Sequence, residues 1–219
     1  MPNPLKSIMT VKREEIPLAS IMCGYFFLVI TSFWILKPIK KTIFFNYYAG
    51  SSFQLLAWDF TAAQAELLGK LLNMVVAFLA VMVFTLISRK YKRQQLTYIF
   101  TAFFMACYIG YAYLINSPVG LTVWSFFLFG DLFSTLMVAT FFAFLNDSVL
   151  PDTAKRLYGI IGLGGVAGGV FGTSFVRLQI DNFSASTWLW ICFGIGLLIV
   201  LLSSAAGRIV GAQKSDLVG

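Results

Sequence analysis

The sequence predicts an all-α integral membrane protein with six transmembrane helices, and three observations predict it. Of the 219 residues, 59% are hydrophobic and 11% charged, far outside the range of soluble domains. The apolar stretches are continuous rather than alternating, which selects helices over a barrel, and each approaches the ~20 residues that cross a bilayer. The basic residues gather in alternate connections, as they do in a chain that crosses repeatedly. The 23 Phe, nine Tyr and five Trp suit lipid-facing and interfacial positions.

The first span, Ile16 to Leu36, follows Lys6, Lys12 and Arg13. It is longer than the core of a signal peptide and lacks a small-residue cleavage pattern, so a retained helix is expected. The second, Leu67 to Ile87, begins beside Glu66 and Lys70, whose i, i+4 spacing fits either a local ion pair or a pair facing a cavity. Arg89, Lys90, Lys92 and Arg93 fill the next connection. The third span, Leu96 to Ile115, gives way to the uncharged Asn116 to Val119, and the fourth, Leu121 to Leu145, carries Asp131 in its interior. Lys155 and Arg156 precede the fifth, Tyr158 to Leu178; the sixth, Ser186 to Ala206, is followed by Arg208 and Lys214. Residues 1–219 thus read as one six-helix domain with short tails at about 1–15 and 207–219.

Four basic groups fall on one side of this topology, which places that side and both termini in the cytoplasm, with a bacterial inner membrane as the expected location. The formal charge of +7 is then a topology signal, and no nucleic-acid partner is expected. Cys23, Cys107 and Cys192 lie in separate spans without metal or redox spacing. The chain has no His, which removes His-based triads and the usual zinc sites. No phosphate-binding loop of the G-x-x-x-x-G-K-[ST] type is present, and Asp131 has no acidic partner at a recognisable spacing. Neither an enzyme, a metal nor a cofactor is expected.

The glycine run "GIIGLGGVAGGVFG" contains a G-x-G-x-x-A match, but that pattern has meaning only between a strand and a helix. Within an apolar span, Gly164, Gly165, Gly168, Gly169 and Gly172 read first as small residues that let two helices approach closely, with a gating hinge as the alternative. The stretch "FWILKPIKKTIFFNYY" poses a different question. Lys37, Lys40 and Lys41 end the first span and snorkel to the headgroups, or the helix continues past Pro38 and carries them into the membrane. Spaced i, i+3, i+4, they share one face, and a face of clustered cations beside a kinking proline fits a cavity for an anion of several charges. Asp131 should likewise face the bundle interior, since an acid at mid-membrane costs about 2.5–3.5 kcal/mol.

"ILKPIKK", "FGDLFST" and above all "LNDSVLPDTAKRLYGIIGLGG" resemble the ATP/ADP translocases of plastids and intracellular bacteria. The resemblance rests on Asn146, Asp152, Ala154, Lys155, Arg156, Tyr158, Gly162 and Gly164, and it aligns the family's substrate-linked lysine with Lys40 and its fourth-span acid with Asp131. It implies exchange of ATP for ADP or of other nucleotides, and a fold similar to the major facilitator superfamily, of which the chain supplies the first six of twelve spans. Lys37 stands in place of an arginine, Pro38 and Lys41 in place of two acids, and Asp131 in place of a glutamate, so this face is more cationic. In such a fold the first and fourth spans are equivalent members of inverted repeats lining the cavity.

Two functions follow as expectations. In one, the chain is the N-terminal half of an alternating-access exchanger for nucleotides or other organic anions, with Lys37, Lys40, Lys41, Asp131 and Asn146 at the substrate and Glu66 with Lys70 as a further cavity pair. In the other, it is a non-transporting six-helix subunit of a larger membrane complex. Both expect a partner in the bilayer, either a second six-helix half or other membrane subunits, because one half alone is expected to leave Asp131 and the lysines facing lipid.

Overall fold

The computed structural model describes residues 12–49, 53–55 and 58–216; Lys6 lies outside them. Six helices are long and apolar enough to cross a membrane, making this a multi-pass helical bundle. They are α1 (Ile16–Tyr47), α2 (Ala62–Lys90), α3 (Arg93–Leu114), α4 (Gly120–Ser148), α5 (Pro151–Gln179) and α6 (Ala185–Asp216). A 3-10 turn, Arg13–Glu15, leads into α1. One short antiparallel hairpin, β1 (Phe53–Leu55) and β2 (Trp58–Phe60), departs from the all-α expectation; it pairs Phe53 with Phe60 and Leu55 with Trp58 between α1 and α2.

Helix ends follow local chemistry. Proline at the first turn starts α1 and α5, where its missing N–H has no intrahelical partner to lose. Thr61 caps α2: its hydroxyl accepts from the Gln64 N–H at 3.4 Å, and the Gln64 side chain accepts from the Thr61 N–H at 2.9 Å, a reciprocal capping box.

The bundle is organised around α1, which packs on α5, α6 and α4, while α3 packs on α6 and α4, and α2 leans chiefly on α4. The α1/α5 contact is the most extensive, and its cause is the glycine face. A Cβ at Gly164 would lie 2.7 Å from the Cys23 carbonyl oxygen, one at Gly172 2.9 Å from that of Thr31, and one at Gly168 would overlap that of Phe27. The two backbones therefore touch along a stripe one helical turn apart on both helices. Hydrogen bonds cross it as well: the Thr31 hydroxyl donates to the Gly168 carbonyl at 3.3 Å, and the Cys23 thiol to that of Ile160 at 3.5 Å. Gly165 seats the Phe26 ring and Gly169 the Trp34 indole. Between α1 and α4, Phe141 stacks on Phe26 at 4.6 Å and meets Tyr25 edge-on at 4.9 Å. By contrast, α2 buries only Ala65, Gly69 and Ala80 and presents Leu67, Leu71, Met74 and Phe78 outward.

The first span extends beyond its expected end at Leu36. The helix continues through Pro38 to Tyr47, at the loss of one backbone hydrogen bond. What offsets this loss is tertiary: Phe44 and Tyr48 bury themselves with Ala65, Val123 and Phe127 of α2 and α4. At the opposite end, Arg156 pairs with Glu15, and Gln94 donates to the Ser203 carbonyl at 3.1 Å. These contacts bring the start of α1, the α2–α3 and α4–α5 connections and the last turns of α6 to one end of the bundle, and with them four groups of basic residues.

Candidate functional site

Lys40 is 4% exposed, and its ammonium lies 2.5 Å from Asp131 Oδ1, joining α1 to α4. It also donates to the Phe127 carbonyl at 3.3 Å and sits 4.6 Å from the centre of the Phe127 ring. A buried ammonium thus meets a carboxylate, a carbonyl dipole and a π face, which together replace its hydration. Two glycines make the geometry possible. A Cβ at Gly130 would come within 2.8 Å of Lys40 Cδ, so the bare backbone of α4 leaves room for the lysine stem; one at Gly69 would come within 2.9 Å of the Phe127 ring, so α2 backs the ring on which the charge rests. Asp131, 28% exposed, is the more open member of the pair.

The other two lysines on this face take different partners. Lys41 pairs with Glu66 Oε1 at 3.1 Å, and Lys70 reaches the same oxygen at 3.1 Å. Glu66 is thereby held between two half-exposed lysines, so the pair foreseen along α2 is a three-membered cluster that includes α1. Lys37 lies 4.5 Å from the Trp34 ring centre and 5.5 Å from that of Phe33, and lines a recess between α1 and α5 together with Lys41 and Arg177. Around this end of the bundle stand, among the described residues, the cations Lys37, Lys40, Lys41, Lys70 and Arg177 and the carboxylates Asp131, Glu66 and Asp181.

Asn146 is elsewhere. Its side-chain oxygen accepts from the Tyr158 hydroxyl at 2.6 Å, a bond that ties the end of α4 to α5 near the Glu15–Arg156 pair, about 22 Å from Asp131 along α4 at 1.5 Å per residue. The structure does not bring it to the lysines. The expectation that a lone half exposes its lysines is also corrected for Lys40, because Phe127 and Asp131 of α4 cover it within the six-helix unit.

Sequence reasoning missed Phe127, Gly130, Gly69 and Arg177. The one available signal was Gly130 next to the intramembrane acid, since a glycine there has a packing reason. Among the described residues no three His, Cys, Asp or Glu side chains come together as a metal site. Comparison of the chain with models of protein families, with curated proteins and with solved structures found no match.

Proposed function

We propose that the chain is the anion-recognising half of an alternating-access exchanger for nucleotides or other phosphate-bearing organic anions, working with a second six-helix half in a bacterial inner membrane with both termini cytoplasmic. The observation that carries this reading is the Lys40–Asp131 pair, which couples the first and fourth spans at the cost of placing two charges inside the bundle. In the empty protein Asp131 neutralises Lys40. An arriving phosphate brings more negative charge than one carboxylate, gathers first at Lys37 and Lys41, and displaces Asp131 from Lys40, loosening α1 from α4. Departure of the anion restores the pair, so the empty and loaded carriers differ in one interhelical link. The resemblance to the ATP/ADP translocases agrees with this assignment of Lys40 and Asp131.

The test is binding of labelled ATP to the purified chain at low and high salt. Lys40→Ala is expected to weaken it tenfold or more, because a charge-assisted bond contributes about 1.5–3 kcal/mol; Lys12→Ala, at the opposite end, should leave it unchanged. Absence of binding by folded protein at either salt concentration refutes the reading for this half. A second reading, a non-transporting structural subunit, is favoured by one observation, that Lys40 is almost wholly buried and already satisfied, and it is the one that absence of binding would leave.

A further inference from the structure

The α1/α5 interface opens into a trough of about 690 Å³ walled by Phe26, Ile30 and Trp34 of α1 and by Gly162, Val166 and Val170 of α5. A second recess of about 380 Å³ continues it, since Trp34 and Thr173 line both. There the wall stays largely apolar, with Pro38, Val176 and Ile180, and takes in the side chains of Lys37, Lys41 and Arg177. Lys37 rests on Trp34, which holds its ammonium at the mouth of the apolar part. Among the described residues no carboxylate forms an ion pair with Lys37 or Arg177, Asp181 one turn beyond Arg177 included, and Lys41 shares Glu66 with Lys70.

The dimensions match one leaflet. At 1.5 Å per residue, Phe26 and Lys37 are about 16 Å apart along α1, and half of the hydrocarbon core is about 15 Å. Arg177 lies in the last turn of α5, level with the headgroups if the apolar body of the helix spans the core. An apolar channel one leaflet deep that ends in three cations has the shape and polarity of an anionic amphiphile.

We infer that the α1/α5 trough binds an anionic phospholipid, with its phosphate on Lys37, Lys41 and Arg177 and one acyl chain against the open glycine side of α5. The inference rests on the proposed function only in taking Lys37 and Lys41 as anion-binding, and it adds the class of anion. The chain exchanges one apolar surrounding for another on leaving the bilayer, so the tail sets position and the headgroup sets preference. Arg177 supplies a planar fork and the two lysines supply point charges one helical turn apart, a combination suited to a phosphate diester. A zwitterionic lipid brings the same tail but carries its own cation, which the three basic side chains repel.

The test uses the whole chain in maltoside detergent with equal amounts of phosphatidylglycerol and phosphatidylcholine of matched acyl chains. Retained lipid is read by native mass spectrometry, and ATP and inorganic phosphate binding to the same preparations by equilibrium dialysis. Phosphatidylglycerol is expected to be retained at least tenfold over phosphatidylcholine, and the Lys37→Ala/Arg177→Ala double variant should abolish that preference. Gly162→Phe should remove retained lipid without weakening ATP binding; a Cβ at Gly162 meets nothing within 4 Å, so the ring fills the trough without parting α1 from α5. Gly194→Phe, equally open but on α6, is the control for added bulk. Retention without headgroup preference, retention that survives Gly162→Phe, or displacement of the lipid by millimolar inorganic phosphate alone overturns the inference. ATP binding without lipid retention overturns it and spares the exchanger; headgroup preference lost in the double variant and retention lost in Gly162→Phe, with no ATP binding, supports it and refutes nucleotide exchange.

Discussion

Asp131→Asn removes one charge from a pair whose members are unequally covered, and the inequality sets the size of the effect. With the carboxylate charge gone, Lys40 keeps a neutral amide oxygen in its place, the Phe127 carbonyl at 3.3 Å and the Phe127 ring at 4.6 Å, at 4% exposure. Breaking a buried pair by removing one partner costs about 3–5 kcal/mol, and the remaining carbonyl and ring place the expected loss near the low end, about 3 kcal/mol. Lys40→Met should cost less, about 1–2 kcal/mol, because Asp131 is left 28% exposed and is easier to solvate, and because methionine refills the volume of the lysine stem over Gly130. The double variant Lys40→Met/Asp131→Leu leaves no uncompensated charge and should cost about 2 kcal/mol where additivity would give about 4–5, a coupling energy of about 2–3 kcal/mol. The assay is reversible unfolding in mixed micelles titrated with sodium dodecyl sulfate, followed by far-UV circular dichroism on wild type, both single variants and the double variant. An Asp131→Asn protein as stable as wild type, or a double variant no better than the worse single, would refute the argument that the pair sustains the α1/α4 contact.

Gly168→Leu should force α5 off the Phe27 carbonyl of α1 and cost upward of about 3 kcal/mol, beyond ordinary overpacking, whereas Gly110→Leu, where a Cβ meets nothing within 4 Å, should change the melting temperature in detergent little; equal behaviour of the two would remove the close-approach explanation. Thr61→Ala should destabilise by about 1 kcal/mol through loss of the α2 cap, read in the same micelle titration, with Thr61→Ser close to wild type. Single cysteines placed at Gln94 and at Pro118, in a background lacking Cys23, Cys107 and Cys192, should label from the cytoplasmic and the opposite side respectively in oriented vesicles; the reverse pattern would invert the topology.

Much of this architecture is written locally. Six apolar runs and the alternation of basic connections lie in composition and one-dimensional order, and the helices occur where those runs do because the backbone in lipid must satisfy its own hydrogen bonds. The glycine face of α5 was equally legible, since five small residues at helical spacing leave little else for that surface to do. The shared phase of Lys37, Lys40 and Lys41 follows from helix geometry alone.

Their different fates do not. Whether an ammonium points at Asp131, at Glu66 or into the α1/α5 trough depends on the axial offset and rotation of α1 against three neighbours at once, and these are set by contacts such as Gly130 against the Lys40 stem and Gly69 against Phe127. The same holds for the continuation of α1 beyond Leu36, which Pro38 weakens locally and which Phe44 and Tyr48 secure by packing against α2 and α4. Asn146 is separated from the Lys40–Asp131 pair by about half the length of α4, a distance that motif order along the chain does not encode. Sequence determined which segments enter the membrane and which faces carry charge, because hydropathy and helical phase are properties of one segment. Tertiary structure alone decided which charges meet, because a pair distance is a joint property of two helices and everything packed around them.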